Sequence, residues 1–386
     1  MSQRKKIAIL ADFPLNSLPA SPFPPASGHY ATWLPQLAAA LQGQNDFEFH
    51  WLTLDSSVAQ ETTIRAWSQN FHILPSWKRG RAATLFWADR RRIRKKLKEI
   101  RPDLVHGWGT ENIWGWATLG FPGPQLFSVQ GLLGLYGKLG RQGLRDRGMA
   151  LIERRVLRKV QAITTESSWA RERIEEQTGR KDVRLVEYGV AERFFEAEPN
   201  PDPRNPYAMM VGTADYRKGI DLAVELFARP GLRDFSLKVV GGVAPFGEVY
   251  KNRSPENVEW LGRKTQSQIM DLLTRARCLM LPSRADVCAN VVKEARVMGL
   301  PVVASPHGGH TQYIQHGRNG FVCPLESADS WEKALLQIFL NPQASLSMGK
   351  FMREEQRQML RPEKTAEGFL EIYRQRLSFP GVQGFA

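Results

Sequence analysis

Little in this sequence could staple or anchor the chain. Its three cysteines, Cys278, Cys288 and Cys323, are an odd number and lack the paired spacing or nearby histidines of a zinc site. They are expected to be reduced, mostly buried thiols in a cytoplasmic protein. No run approaches the roughly 18 apolar residues that a membrane-spanning helix needs. The apolar run from Ile7 to Ala11 stops at Asp12, too short for a signal segment, so secretion is not expected. There is no fixed-period repeat and no low-complexity tract, which sets solenoids aside. Acids are scarce relative to bases: 39 Asp and Glu against 53 Lys and Arg leave a net charge of +14. That balance biases the surface toward phosphates, acidic lipids or nucleic acid without choosing among them.

At 386 residues the chain exceeds one ordinary core, and two domains of roughly 190 residues are expected. Hydrophobic content of 42% and charged content of 24% are those of a soluble globular protein. Short runs rich in Val, Ile and Leu alternate with amphipathic segments: KIAILAD, FEFHWLTL, DLVHGWG and QLFSVQG early, then AMMVGT, LKVVGG, CLMLPS and PVVASP. Such alternation predicts α/β domains on parallel, doubly wound sheets. The stretch AEPNPDPRNPY, residues 197 to 207, is proline-rich, has no apolar period and marks the expected linker. The expected domains are 1–197 and 206–361. Beyond them Ala366, Phe369, Leu370, Tyr373 and Leu377 share one helical face, so a C-terminal helix of about 362–386 should dock on a neighbour.

Positive charge is concentrated in two places. WADRRRIRKKLKEIRPD, residues 87 to 103, is densely basic from Arg90 to Lys98, while Phe86, Ile93, Leu97 and Ile100 keep helical spacing. The Arg and Lys side chains then occupy the opposite face. GRQGLRDRGMALIERRVLRK, residues 140 to 159, holds the second group. A solvated helix face accounts for such runs; a surface for anionic lipid headgroups is the alternative.

In open parallel sheets, ligands bind beyond the carboxyl ends of strands, where helix N-termini turn unpaired N–H groups toward phosphates. Three segments of the second half stand at such ends. CLMLPS leads into ADVCANVVKEA, residues 285 to 295, where a helix starting near Asn290 would aim the amides of Ala289, Asn290 and Val291 at an anion. Asp286 lies just before this helix and Glu294 one turn inside it. Were the whole span helical, the two acids would stand about 12 Å apart, beyond the roughly 5 to 10 Å of paired glycosidase carboxylates. They suit a long ligand gripped at two places, a nucleoside at Glu294 and a sugar at Asp286 with a diphosphate between. VGTADYRKGID, residues 211 to 221, sets Arg217 and Lys218 in a turn before a helix, where cations can neutralise a diphosphate. SPHGGH, residues 305 to 310, ends a later strand with two glycines that allow backbone approach. Helix-dipole acids and ordinary loops would explain any one of these alone. Their joint order is harder to obtain by accident.

PSRADVCANVVKEARVMGLPVVASPHGG resembles the signature of the retaining glycosyltransferases of family 4, the glycosyl transferases group 1. These are two-domain GT-B enzymes whose motif is E-x7-E, followed by a G-x-P-V-V-A strand. AMMVGT…RKGID, LKVVGG, VEWLG, CLMLPS and Asn319 to Phe321 follow in the family's order over about residues 205 to 325. KIAILAD, the Gly28 loop, RPDLVHGWGTE, FSVQG, ITTESSW and VEYGV match the first half more loosely. HGWGTE followed by SVQG is similar to a subgroup associated with bacterial surface polysaccharides.

The resemblance implies two Rossmann-like domains facing a cleft, the C-terminal helix docking back on the N-terminal, acceptor-side domain. A UDP- or GDP-linked sugar would be held mostly by the second domain. Glu294 would take the ribose, Arg217 and Lys218 the diphosphate, and Gly212 with the amides of Ala289, Asn290 and Val291 the phosphate and sugar. Asp286, where the family usually has Glu, and His106, at a strand end of the first domain, are the expected catalytic residues. Gly28, Thr110, Glu111, Gln130, Gly309 and His310 are candidate acceptor or sugar contacts. Three departures stand out: the family's Gly-Arg pair reads Gly212-Thr213, Gln312 replaces an acid, and Trp108 replaces the second His of H-x-H.

In the family's mechanism the acceptor attacks on the leaving-group face and the departing phosphate takes its proton, so no paired base, metal or cofactor is expected. The implied acceptor is a glycan or lipid-linked hydroxyl. The basic clusters suit an anionic membrane surface, which would make the protein cytoplasmic and peripheral on the inner face of the membrane. Nucleic acid is not an expected partner, although a basic nucleic-acid-binding protein is one alternative; it would leave the motif order unexplained and lacks RRM, KH or helix-turn-helix signatures. A GT-B sugar-nucleotide epimerase, a phosphorylase and an inactive GT-B scaffold are the others.

Overall fold

The computed structural model describes residues 4–24, 31–77, 86–139 and 143–378; Gly28 and the last residues of the expected C-terminal helix lie outside them. Among the described residues the strands form two sheets. The first holds β1 (Lys5–Leu10), β2 (Phe47–Asp55), β3 (Thr62–Ala66), β4 (Gln69–Pro75), β5 (Leu104–Trp108), β6 (Gln125–Val129), β7 (Ile163–Thr165) and β8 (Arg184–Leu185), in the order β3-β4-β2-β1-β5-β6-β7-β8. The second holds β9 (Tyr207–Val211), β10 (Ser236–Val240), β11 (Val258–Gly262), β12 (Cys278–Leu281), β13 (Val302–Ala304) and β14 (Gly320–Val322), in the order β11-β10-β9-β12-β13-β14. The second is the 3-2-1-4-5-6 order of a doubly wound nucleotide-binding sheet. Only β3 runs antiparallel to its neighbour among the paired strands.

The β3–β4 hairpin is an addition that sequence reading did not supply. Its turn is Trp67-Ser68, with φ of 47° and 61°. Positive φ at both central residues gives the turn twist that suits a hairpin, normally signalled by Asn-Gly.

Each sheet is buried on both faces. One face of the first packs Leu34 and Leu37 of the helix Trp33–Ala40 with Phe369, Leu370 and Tyr373 of the helix Pro362–Ser378. The other face takes Ile93, Leu97 and Ile100 of the helix Trp87–Ile100, with Trp114 and Met149. The C-terminal helix therefore completes the core of the N-terminal domain.

The chain passes from one core to the other before its proline-rich stretch. Tyr188 belongs to the first core, whereas Val190, Phe194 and Phe195 belong to the second. The crossing is at Gly189, not within 197–207, because the aromatic pair on the short helix Arg193–Glu196 packs under the helix Asn290–Met298. The return crossing lies beside it. Val190 N donates to Leu360 O at 2.9 Å, and Gly189 N donates to Thr365 Oγ1 at 2.8 Å. A side-chain carbon at Gly189 would stand 2.6 Å from Pro362 Cα, so the two passages touch backbone to backbone.

Candidate active site

In the second sheet the strand order reverses between β9 and β12, and crevices form outside the carboxyl ends at such points. A cavity of about 410 Å³ opens there, lined among others by Gly212, Lys218, Asp286, Ala289, Asn290 and Val291. Six of the expected donor-site positions are thus brought to one wall. A larger opening of about 730 Å³ lies on the outer face of the helix Trp87–Ile100. Its lining is tryptophan, alanine and basic side chains with no acid and no glycine turn, so the smaller cavity is the candidate site.

Backbone geometry shapes its floor. Gly212 directly follows β9 with φ of 139° and Gly241 directly follows β10 with φ of 143°. A side-chain carbon at Gly241 would stand 1.9 Å from Gly212 O, and one at Gly212 would stand 3.3 Å from Lys218 Cε. Only glycine lets these strand ends meet and leaves room for the ammonium.

Lys218 is aimed by its own turn, its N–H donating to Asp215 Oδ1 at 2.7 Å. The turn is locked to the β12 loop by Arg284, which grips Asp221 through two hydrogen bonds of 2.8 and 2.6 Å and stacks on Tyr216. Lys218 donates to the buried Asp286 carboxylate, and Arg217 Nη1 lies 3.8 Å from the same oxygen. Burial by itself would raise the Asp286 carboxyl, but the neighbouring Lys218 and Arg217 charges prevail and hold it below the usual carboxylate range.

The helix Asn290–Met298 opens on Ala289, which supplies no side-chain cap, and its first turn carries no acid. Its N-terminal N–H groups and dipole therefore suit an anion in the cavity. Glu294 is buried one turn further on, where Gln266 Nε2 donates to its Oε1 at 3.3 Å. It stands beside the cavity and is not among the lining residues. Arg263 and Lys264, which follow β11, do line it. Sequence reading passed over them, although a dibasic pair directly after VEWLG was the available signal.

The first domain reaches this wall through Tyr136. Val287 N donates to the Tyr136 hydroxyl at 3.1 Å, and the Arg217 guanidinium stacks 4.5 Å from the ring centre. Tyr136 sits on a short helix, Leu133–Tyr136, whose leading amides at Leu133 and Gly134 donate to the buried Glu153 carboxylate at 2.7 and 3.0 Å. Ser167 donates to Val287 O at 2.6 Å. Lys293, fully buried, donates to Glu166 at 2.7 Å and to Tyr188 O at 3.0 Å. No sequence motif announced these cross-domain contacts.

The remaining expected positions divide. Thr110 bonds Gly131 O at 2.9 Å, and Gln130 donates to Glu111 at 3.2 Å, so these residues gather at the carboxyl ends of β5 and β6. Gly309 N donates to Asp286 O at 3.1 Å, which ties the glycine turn to the acid. His310 is fully buried, with Nε2 3.0 Å from Ser305 O, and burial lowers its pKa. His106, read as a cleft residue, is placed instead inside the first core. Its ring nitrogens lie 2.7 Å from Tyr373 Oη and 2.7 Å from Ser128 Oγ, and it stacks on Trp108. Burial lowers its pKa to about 3, so it is a neutral structural ring joining β5 to the C-terminal helix.

Comparison with known proteins agrees with this frame. Residues 31–193 match the model for Glycosyltransferase Family 4, and residues 192–355 that for Glycosyl transferases group 1. N-acetyl-alpha-D-glucosaminyl L-malate synthase of Bacillus anthracis is 24% identical over 206 residues, 50% of this chain and 54% of that protein. D-inositol 3-phosphate glycosyltransferase of an Arthrobacter species is 30% identical over 135 residues, 35% of this chain and 30% of that protein. The alignments thus span about half or less of these relatives. Among solved structures, sucrose-phosphate synthase from Thermosynechococcus elongatus superposes with a TM-score of 0.81 at 19% identity, covering 97% of this chain and all of the other. Anabaena HepE in complex with UDP and glucose gives a TM-score of 0.69 at 12% identity, covering 96% of this chain and 99% of the other. With adjoining family matches over residues 31–355 and a GT-B frame of two doubly wound domains, the chain belongs to the family 4, group 1 glycosyltransferases.

Proposed function

We propose that the protein moves a sugar from a nucleoside diphosphate to an acceptor hydroxyl, with retention at the anomeric carbon and without a metal. The observation that carries this reading is the Lys218–Asp286 pair facing an uncapped helix N-terminus across one cavity. A diphosphate laid on the amides near Asn290 would meet Lys218, Arg263 and Lys264, and the attached sugar would offer hydroxyls to Asp286. Negative charge grows on the leaving diphosphate in the transition state, so these donors stabilise that state more than the bound substrate. The departing phosphate can take the acceptor's proton, which leaves no separate base to be assigned. Glu294 is the ribose partner in this reading. A UDP-linked donor is supported by the HepE structures, described as complexes with UDP, glucose and UDP-glucose. The acceptor is a glycan or lipid-linked hydroxyl approached from Thr110, Glu111 and Gln130, and the enzyme works in the cytoplasm, peripherally at the membrane.

The test is turnover of UDP- and GDP-sugars with acceptor and with donor alone, each with and without EDTA. Acceptor-dependent release of nucleoside diphosphate that survives EDTA is expected. Loss of turnover in EDTA with recovery on adding manganese would overturn metal independence. Isomerised donor without acceptor would favour the epimerase.

A further inference from the structure

One surface lies outside this chemistry. Trp77 and Trp87 are 60% and 61% exposed, and they frame the 730 Å³ groove with Arg91, Arg94, Lys95 and Lys98. Water is a poor place for two indoles unless something else covers them. Arg91 stacks on Trp87 at 5.5 Å and Arg92 on Trp77 at 5.6 Å, so each ring is held open under a guanidinium.

The second basic cluster joins the same face. Arg90, from the helix Trp87–Ile100, and Arg155, from the helix Leu144–Lys159, both stack on Trp116, at 5.1 and 5.8 Å. Leu151 is one turn before Arg155 on that helix and 68% exposed. Exposed apolar tips thus rise among basic side chains borne by two helices that flank Trp116.

Topology fixes where this face lies. Strands β4, β2, β1 and β5 are parallel, so their carboxyl ends share one edge. Trp77 follows the end of β4 by two residues. The helix from Trp87 ends at Ile100, beside the start of β5, so Trp87 lies at the carboxyl edge. Thr110 and Glu111, at the end of β5, open on that same edge.

We propose that this face docks on a bilayer containing anionic phospholipid, Trp77, Trp87 and Leu151 entering the headgroup layer while the Arg and Lys side chains meet lipid phosphates. Indole rings favour that layer because one edge of the ring is polar and the rest apolar. Nucleic acid fits less well, since Leu151 offers nothing to a base or a phosphate. Docking sets the acceptor side of the cleft beside the bilayer, where a lipid-linked hydroxyl resides. The binding itself does not depend on sugar transfer and can be read without it.

The test is co-sedimentation of the full chain with vesicles of phosphatidylcholine alone or mixed with phosphatidylglycerol, with poly(U) RNA as competitor. Binding to the mixed vesicles and not to phosphatidylcholine is expected. Each basic residue near an anionic surface adds roughly fivefold to partitioning, so replacing Arg91, Arg94, Lys95 and Lys98 by Gln should weaken binding by about a hundredfold or more. Trp77→Ala with Trp87→Ala should weaken it about tenfold at unchanged charge. Circular dichroism and the thermal shift given by UDP check that both variants remain folded. Equal binding to both vesicles, binding to neither, variants that bind like the parent, or displacement by poly(U) at lower concentration than phosphatidylglycerol vesicles would each overturn the proposal.

Discussion

Lys218 and Asp286 leave the ends of different strands and meet as an ion pair at the wall of the candidate donor cavity. The pair holds two parts that a donor would need separately: a cation for phosphate and a carboxylate for sugar hydroxyls. A bound diphosphate competes with Asp286 for the ammonium, so the two residues should respond oppositely to substitution.

Lys218→Ala is expected to weaken UDP binding and to cut turnover by roughly 100- to 1,000-fold, the usual cost of one preorganised donor. Asp286→Asn should leave UDP binding equal or tighter, because a competing negative charge is gone, while turnover falls. Calorimetric titration with UDP and steady-state rates check both. Parallel loss of UDP affinity in the two variants would contradict the assignment.

Glu294→Ala should weaken UDP about tenfold or more if the carboxylate holds ribose, since hydrogen bonds to a charged group contribute about 1.5–3 kcal/mol. Inorganic pyrophosphate, which lacks ribose, should bind parent and variant alike. Thermal shift with each ligand separates a ribose contact from a general loss of fold.

The Lys293–Glu166 pair is buried between the domains at 2.7 Å. Removing one partner leaves a charge without compensation, so Lys293→Met should lower unfolding free energy by about 3–5 kcal/mol. Replacing both, Lys293→Met with Glu166→Leu, should recover much of that loss. Urea denaturation followed by far-ultraviolet circular dichroism is the measurement, and a double variant no better than the single one would count against a buried ion pair.

Glu153 underpins the helix that carries Tyr136, and burial raises its carboxyl to about 7. The folded value lies above the unfolded one, near 4.3, so the protonated acid is favoured by folding. That contribution is complete below about pH 4.3 and is lost as pH rises toward 7. Glu153→Gln is neutral throughout, so the stability of parent minus variant should fall by an amount on the order of 3 kcal/mol between those limits and then level. A difference that does not change with pH would exclude titration of Glu153 as its cause.

Much of the second domain was legible because strands buried on both faces read as unbroken Val, Ile, Leu and Met runs, and its cations and helix start sit in one local order. The β3–β4 hairpin was not, since Trp67-Ser68 carries none of the turn residues that advertise positive φ. The domain crossing was misplaced because prolines mark irregular backbone, whereas Phe194 and Phe195 had already joined the second core. His106 was misread for a related reason. Its place in β5 is plain from sequence, but what its ring meets depends on Tyr373, 267 residues away. Tyr136 and Lys293 likewise take their meaning from how two domains meet, which no local pattern encodes.

The two passages between the cores, at Gly189 and at Leu360 to Pro362, lie side by side and are bonded to each other. They form one doubled seam rather than two separate tethers. Opening and closing of the cleft would then be a swing about that seam, with the C-terminal helix riding on the first lobe. A side chain introduced at position 189 would meet the Pro362 backbone and wedge the seam apart, at a place remote from every residue that lines the candidate cavity.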